Sequence, residues 1–362
     1  MNNKTPDPRI CGIVGGQAVL EGVMMKSGKR CSLAVRMPDG SIKLDNSSFV
    51  SLRQKNKLCN LPVIRGCISF VEQLILSMDM LTKSADMQGI DTDEPETKFE
   101  KWLLDKFGDK LMNVVAGIGM VLGLAMGVGL FLVLPTAVGS FADWLSGGVI
   151  GDIPVLRSLI EGIIRIGIFV AYVALTALMP DIKRTYEYHG AEHKSVACFE
   201  AGLELTPENA RKCSRLHPRC GTSFIFVMLI LSIIINSVIT LDDVLLRSAT
   251  KLLTLPLIVG LGFEFIRYAG GHDNVLTKIL SAPGLWMQRI TTREPDDAEL
   301  EVALAALRNA IPTECGGIVQ RSGVLKADGT TEFNPDEPAK DGELVPSELP
   351  PLKPSKKDKK AK

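Results

Sequence analysis

The chain has 362 residues with 41 basic and 41 acidic side chains, so it lacks the global basic surface that marks nucleic-acid binding, and nucleic acid is not an expected partner. Its apolar residues are concentrated in a few runs, which argues for membrane spans over a series of soluble domains. The eight cysteines have no even spacing, and the N-terminus, MNNKTPDPRI, has no apolar core behind a basic start; reduced thiols and no cleavable signal peptide are expected.

Residues 1–110 read as a cytoplasmic N-terminal region. Within 12–50 the string SLAVRMPDGSIKLD partly alternates apolar and polar residues around Pro38-Asp39-Gly40, a turn tripeptide, and predicts a β-hairpin. The preceding GIVGGQAVLEGVMMKSGKR has paired glycines that would let backbone approach a ligand, but no helix-opening phosphate-loop pattern follows, so a strand with tight bends is the reading. From Pro62 to Met87, Val63, Cys67, Phe70, Val71, Leu74 and Leu81 recur at helical spacing, too interrupted for a span, and predict a helix on the membrane face. The acidic DTDEPE then forms a loop.

A four-span membrane domain is expected over 111–268. Leu111 to Ala142 contains no charged residue, and a span needs about 20 apolar residues. Pro135 is placed near its end, and Gly123 and Gly127 form a small-xxx-small pair that is common in spans by chance. The second span, 157–180, requires Arg165 to snorkel and Glu161, one turn before it, to pair with it. Phe224 to Leu241 and Leu252 to Ile266 form the third and fourth, joined by a tight turn at Asp242 and Asp243 into a helical hairpin. Glu264 and Arg267, i and i+3, are expected to pair or to face water, and charges inside the spans are too few to outline a transport pathway. Basic residues stay on the cytoplasmic side. Lys98, Lys101, Lys106 and Lys110 precede the first span, 143–156 has no Lys or Arg, and seven basic residues lie between spans two and three. Both termini and the loop 181–221 are therefore expected in the cytoplasm, in a plasma membrane whose bilayer is the first partner.

That loop carries the chemistry. On a helix continuing from span two, His189 and His193 are i and i+4 with Glu192 beside them, an H-x-x-E-H arrangement like the inverted zinc-peptidase motif, in which two imidazoles bind metal and the glutamate polarises its water. Glu200 returns to the same face seven residues later, and His217 and Cys220, with Cys213 as a further candidate, offer ligands from the loop's other end. The bland alternative places the histidines at the wet end of a span, with Gly190 weakening the helix that aligns them. Arg215 and Arg219 offer a phosphate contact or, more simply, a headgroup anchor.

In the C-terminal cytoplasmic region, 269–325, His272 and Asp273 lie in a glycine-rich turn as a solvated pair or a further ligand. REPDDAELEVALAALRNAI starts with acidic residues and repeats Leu300, Leu304, Leu307 and Ile311, an amphipathic helix that needs a cover. Residues 326–362, rich in Pro, Lys, Glu and Asp, predict a disordered tail.

GGQAVLEGVMM, AVRMPDGSI, LPVIRG, YHGAEHK, SRLHPRCGTSF and TTREPDDAELEVALAALR, in order over residues 11 to about 311, resemble the YqhQ-like family of bacterial membrane proteins, a domain of unknown function labelled by inference as possible metal-dependent enzymes. The resemblance implies that His189, Glu192, His193, His217 and Cys220 occupy the family's motif positions; Cys213 is not carried over. The expectation is a mainly α membrane protein with four transmembrane helices, an N-terminal α+β region and a C-terminal amphipathic helix. A divalent metal, zinc by preference, is held by His189, His193 and Glu200, His217 or Cys220. Glu192 activates water against a membrane-associated substrate. The rival is a non-enzymatic partner in membrane-protein biogenesis or quality control, with a structural His/Cys loop.

Overall fold

The structure is a computed structural model that describes residues 14–89, 110–239, 241, 243–269, 274–312, 315, 317, 322–326 and 330–333. It is mainly helical, with a small antiparallel sheet. The strands β1 (Val14–Val19), β2 (Gly22–Ser27), β3 (Arg30–Arg36), β4 (Ile42–Ser48), β5 (Gly323–Leu325) and β6 (Thr331–Phe333) pair in chain order. The expected hairpin joins β3 to β4: Gly40 takes φ +84°, and the Asp39 carboxylate accepts the Ser41 N–H at 2.8 Å and its hydroxyl at 2.6 Å. The glycine-rich segment before it is the strand with tight bends, β1 and β2. The last two strands were not foreseen. Strand β6 lies past residue 325, in the segment read as a disordered tail; 327–329 and 334–362 are outside the described residues.

Both faces of the sheet are covered, which is why β2 and β3 read as nearly continuous apolar runs. Val23, Met25, Ala34, Ile42 and Leu44 face α5 (Pro180–Glu200) and α10 (Asp297–Ala310), while Val19, Met24, Cys31, Leu33 and Val35 face Leu76 and Met80 of α1 (Ile64–Met87). Helix α10 is the amphipathic helix expected from the sequence. Asp296 and Glu299 form its capping box, and Leu300, Leu304, Leu307 and Ile311 are buried under the sheet and α5. The two chain ends thus share one layered unit.

Helix α1 keeps Val71, Leu74, Ile75 and Met78 exposed, the apolar stripe expected of an interfacial helix. Its first turn docks on α8 (Val244–Ala269), where Gly66 faces Gly260 with no room for a Cβ and the Arg65 guanidinium grips Glu264, Nε to Oε1 at 2.6 Å. Glu264 therefore pairs with Arg65 and not with Arg267, because α1 supplies a closer cation than α8's own face.

The apolar helices are α2 (Lys110–Val128), continued through a π turn at Gly129–Val133 into α3 (Leu134–Leu145), then α4 (Pro154–Thr176), α7 (Gly221–Asn236) and α8. Among the described residues, three segments are long and apolar enough to cross a membrane: Val121–Leu145, Pro154–Thr176 and Val244–Ala269, at mean hydropathy 2.3, 1.9 and 1.6. The third expected span, α7, is as apolar but has 16 residues, short of the roughly 20 a perpendicular crossing needs. It forms the expected hairpin with α8, whose Gly262 lets Phe224 and Met228 approach.

Three expectations about the bundle are corrected. Pro135 does not close the first segment but sits at its middle, next to the π turn. Span two does not continue into the loop helix: it ends at Thr176, and α5 starts afresh at Pro180. Arg165 does not snorkel, because polar partners inside the bundle hold it at 6% exposure, and the charges buried with it are more numerous than expected. Among the thiols, Cys315 is not reduced but disulfide-bonded, its partner lying outside the described residues. So do DTDEPE and the His272-Asp273 pair. Helix α6 (Pro207–Lys212) lies within the loop, and α9 (Val275–Thr291), unforeseen, packs Gly284 onto Ser223 of α7.

Candidate metal centre

Helix α5 presents His189, Glu192 and His193 to one side, as the i, i+3, i+4 spacing requires. Gly190 has a role beyond weakening the helix: a Cβ there would stand 1.9 Å from the Arg293 carbonyl oxygen, so its absence lets the chain between α9 and α10 lie directly on α5. That close approach brings up the Thr291 carbonyl, which accepts the His189 Nδ1 proton at 2.8 Å. The Arg215 carbonyl accepts from His193 Nδ1 at 2.6 Å. Carbonyls only accept, so both rings carry the proton on Nδ1 and turn a bare Nε2 lone pair inward, as metal-binding histidines do.

Cys220, at the N-cap of α7, completes the group. Its sulfur is 3.4 Å from His189 Nε2, and ligand atoms of His189, His193 and Cys220 all lie within 4.8 Å of one another. The Glu192 carboxylate stands beside both imidazoles, Oε2 at 3.5 Å from His193 Nε2 and 4.0 Å from His189 Nε2. It is buried, and burial pushes its carboxyl above the usual range, opposed by the histidines and by a hydrogen bond from the Gly16 N–H. Burial likewise lowers the His193 and His217 imidazoles, keeping them neutral and able to ligate.

Two of the expected ligands stand apart. Glu200 is half exposed and pairs with His217 Nε2 at 3.3 Å and with Arg219, which holds its carboxylate away from the group. His217 is locked by Gln288, which accepts its N–H and donates to its carbonyl, each at 2.8 Å; its ring is 5.8 Å from that of His193. Cys213 packs near Cys198 instead, whose thiol burial and that neighbour push up to about 12. Lys194 fastens the returning loop, donating to the Arg211 and Cys213 carbonyls at 2.9 Å.

The sequence reading missed Gly16, Thr291 and Gln288. The signal for Gly16 was present in the paired glycines of β1: a Cβ at 16 would be 2.9 Å from Glu192 Cγ. Two imidazole nitrogens and one cysteine sulfur beside a carboxylate, with each Nδ1 oriented by a carbonyl, fit the donor chemistry of a divalent metal such as zinc.

The model of a family described as "Protein of unknown function (DUF1385)" matches residues 61–313. The chain is also 32% identical over 306 residues to the uncharacterized protein YqhQ of Bacillus subtilis (strain 168), covering 83% of this chain and 92% of that one. This chain is a member of the DUF1385 family. The match confirms the resemblance read from the motif strings, and all of the DUF1385 member's candidate ligands fall inside the matched region. No solved structure matches it.

Proposed function

We propose that this DUF1385 protein is a four-span plasma-membrane protein, termini cytoplasmic, whose cytoplasmic face holds a divalent metal, zinc by preference, through His189, His193 and Cys220. The convergence of those three donors beside a buried carboxylate carries the reading. A bound zinc would supply Lewis acidity and an acidified water. Glu192, its Oε2 3.5 Å from His193 Nε2 and 4.0 Å from His189 Nε2, would be the group that accepts and hands on a proton in the hydrolysis of a membrane-associated substrate. Gly16 and the sheet exclude solvent from it. In this reading α7, at 16 residues, spans as the shorter arm of the α7/α8 hairpin.

Elemental analysis of the purified full chain tests the metal: about one zinc per chain in the wild type, lost in His193→Ala. Absence of zinc, iron and manganese from both would sink the reading. Glu192→Gln tests the chemistry. It should retain metal and protein level while abolishing cellular function; unchanged function would instead favour a biogenesis or quality-control partner with a structural metal clip.

A further inference from the structure

The connection between β4 and α1 belongs neither to the core of the sheet nor to the metal centre. From Asn46 to Val71 the sequence has no Asp or Glu and carries Arg53, Lys55, Lys57 and Arg65. Its one helical turn, Leu52–Lys55, is tied to α1 by the first acid beyond the run: Glu72 accepts the Ser51 hydroxyl at 2.7 Å and the Leu52 N–H at 2.6 Å. Arg53 donates to Ser69 Oγ at 2.8 Å, with its guanidinium 5.7 Å from the centre of the Phe263 ring of α8. These polar contacts face inward and leave apolar side chains outside. Leu52, Leu58 and Leu61 are exposed, Leu58 by 68%. Ile64, also exposed, continues them onto α1, where Val71, Ile75 and Met78 follow at i+7, i+11 and i+14 on one helix face. Lys57 is exposed beside Leu58.

Helix α8 sets the depth of this face. Cys67 donates its thiol to the Pro256 carbonyl at 3.0 Å, Gly66 faces Gly260, and Arg65 grips Glu264. All three contacts fall within Leu252 to Ile266, the run of α8 that is apolar apart from Glu264, so the first turn of α1 lies alongside that run and not beyond its end. Leucines exposed at this level meet hydrocarbon, while a lysine stem is long enough to carry its charge up to the headgroups. Protein interfaces are depleted in lysine, whereas helices that lie in a membrane surface combine lysine and arginine with a leucine face. A face that is apolar and basic, with no acid in its run, is complementary to a leaflet that is apolar within and negative at its surface.

We infer that residues 50–64, with the outer face of α1, form a wedge that enters the cytoplasmic leaflet and holds anionic phospholipid through the cations of the acid-free run, Lys57 foremost. The inference rests on α8 crossing the membrane and is independent of the metal centre. Its consequence reaches that centre all the same, because α1 carries the sheet on Leu76 and Met80 and the sheet covers Glu192.

Hydrogen–deuterium exchange of the full chain in nanodiscs tests it, comparing phosphatidylcholine alone with a mixture containing phosphatidylglycerol. Amides of 50–64 should exchange at least about fivefold more slowly in the anionic discs, the factor one basic side chain supplies at a charged membrane surface, and high salt should shrink the difference. Lys57→Gln, a change at an exposed position, should remove about fivefold of the slowing. Leu58→Glu should speed exchange in both kinds of disc. Exchange that is equal in the two discs, or a lipid difference untouched by Lys57→Gln, would overturn the wedge. So would equal protection in detergent and in both discs, which would mean that protein and not lipid covers the face. An alkaline carbonate wash of membranes separates the underlying reading: release of the chain removes the span and the wedge together, whereas a retained chain with lipid-indifferent exchange removes the wedge alone. His193→Ala should leave the lipid difference unchanged.

Discussion

Replacing Gly190 with alanine sets two effects of opposite sign against each other. Alanine is the better helix former, and in an exposed helix interior the exchange stabilises by about 1 kcal/mol. Here the new Cβ would sit 1.9 Å from the Arg293 oxygen, 1.1 Å inside the 3.0 Å limit that real Cβ atoms respect, and the obstacle is backbone with no flexible end to swing aside. Overpacking of this kind costs about 1–3 kcal/mol. Moving residues 291–293 outward also stretches the 2.8 Å bond from His189 to the Thr291 carbonyl, a further loss of about 1 kcal/mol. The clash wins, and Gly190→Ala should be less stable by about 1–3 kcal/mol. Because that carbonyl orients a ligand, zinc affinity should fall about 10–100-fold as well. Thermal melts of the two proteins, with and without chelator, together with a competition titration against a zinc indicator, measure both. A variant that melts at or above the wild type, or binds zinc as tightly, would refute the argument that α5 needs glycine for this contact.

Chelation of the wild type should lower its melting temperature and leave His193→Ala nearly untouched, since binding to the native state alone is what adds the stability. Glu299 gives a pH signature: burial lifts its carboxyl to about 7, above its unfolded value of 4.5, so its contribution is complete below about 4.5 and lost as pH rises through about 7. Glu299→Gln should flatten that part of the stability profile; an identical profile in the variant would assign it elsewhere. Gly66→Val, facing Gly260 and Phe263, should cost about 1–3 kcal/mol and expose α1 to limited proteolysis, and full resistance would count against the α1–α8 docking.

The elements legible in the sequence are those with a local cause. Pro38-Asp39-Gly40 makes its turn from its own side chains, the apolar runs make helices, and α10 announces itself by a capping box and a leucine stripe. What escaped is long-range. Strands β5 and β6 have three residues each and exist because β4 offers an edge. The destination of Glu264 depended on α1, nearly 200 residues earlier, and no spacing rule reaches that far. Of the site, the H-x-x-E-H spacing was readable because helix geometry fixes i, i+3 and i+4, and Cys220 came through its position just before α7. Glu200 shares that face by its spacing but lies at the solvated end of α5, where Arg219 and His217 compete for it.

The sheet explains why the Glu192 carboxyl, beside the two imidazoles, is held above the ordinary carboxylate range. Strand β1 passes over α5 with a glycine at the crossing, so Gly16 covers Glu192 and gives it one backbone N–H. Burial disfavours the charged carboxylate, the histidines and that N–H favour it, and burial outweighs them, so the carboxyl lies above its ordinary range. An exposed glutamate at the same distance would keep the ordinary carboxylate range and be the weaker base. The paired glycines of the N-terminal strand therefore belong to the same device as the histidines some 175 residues later, joined by the close approach that glycine permits.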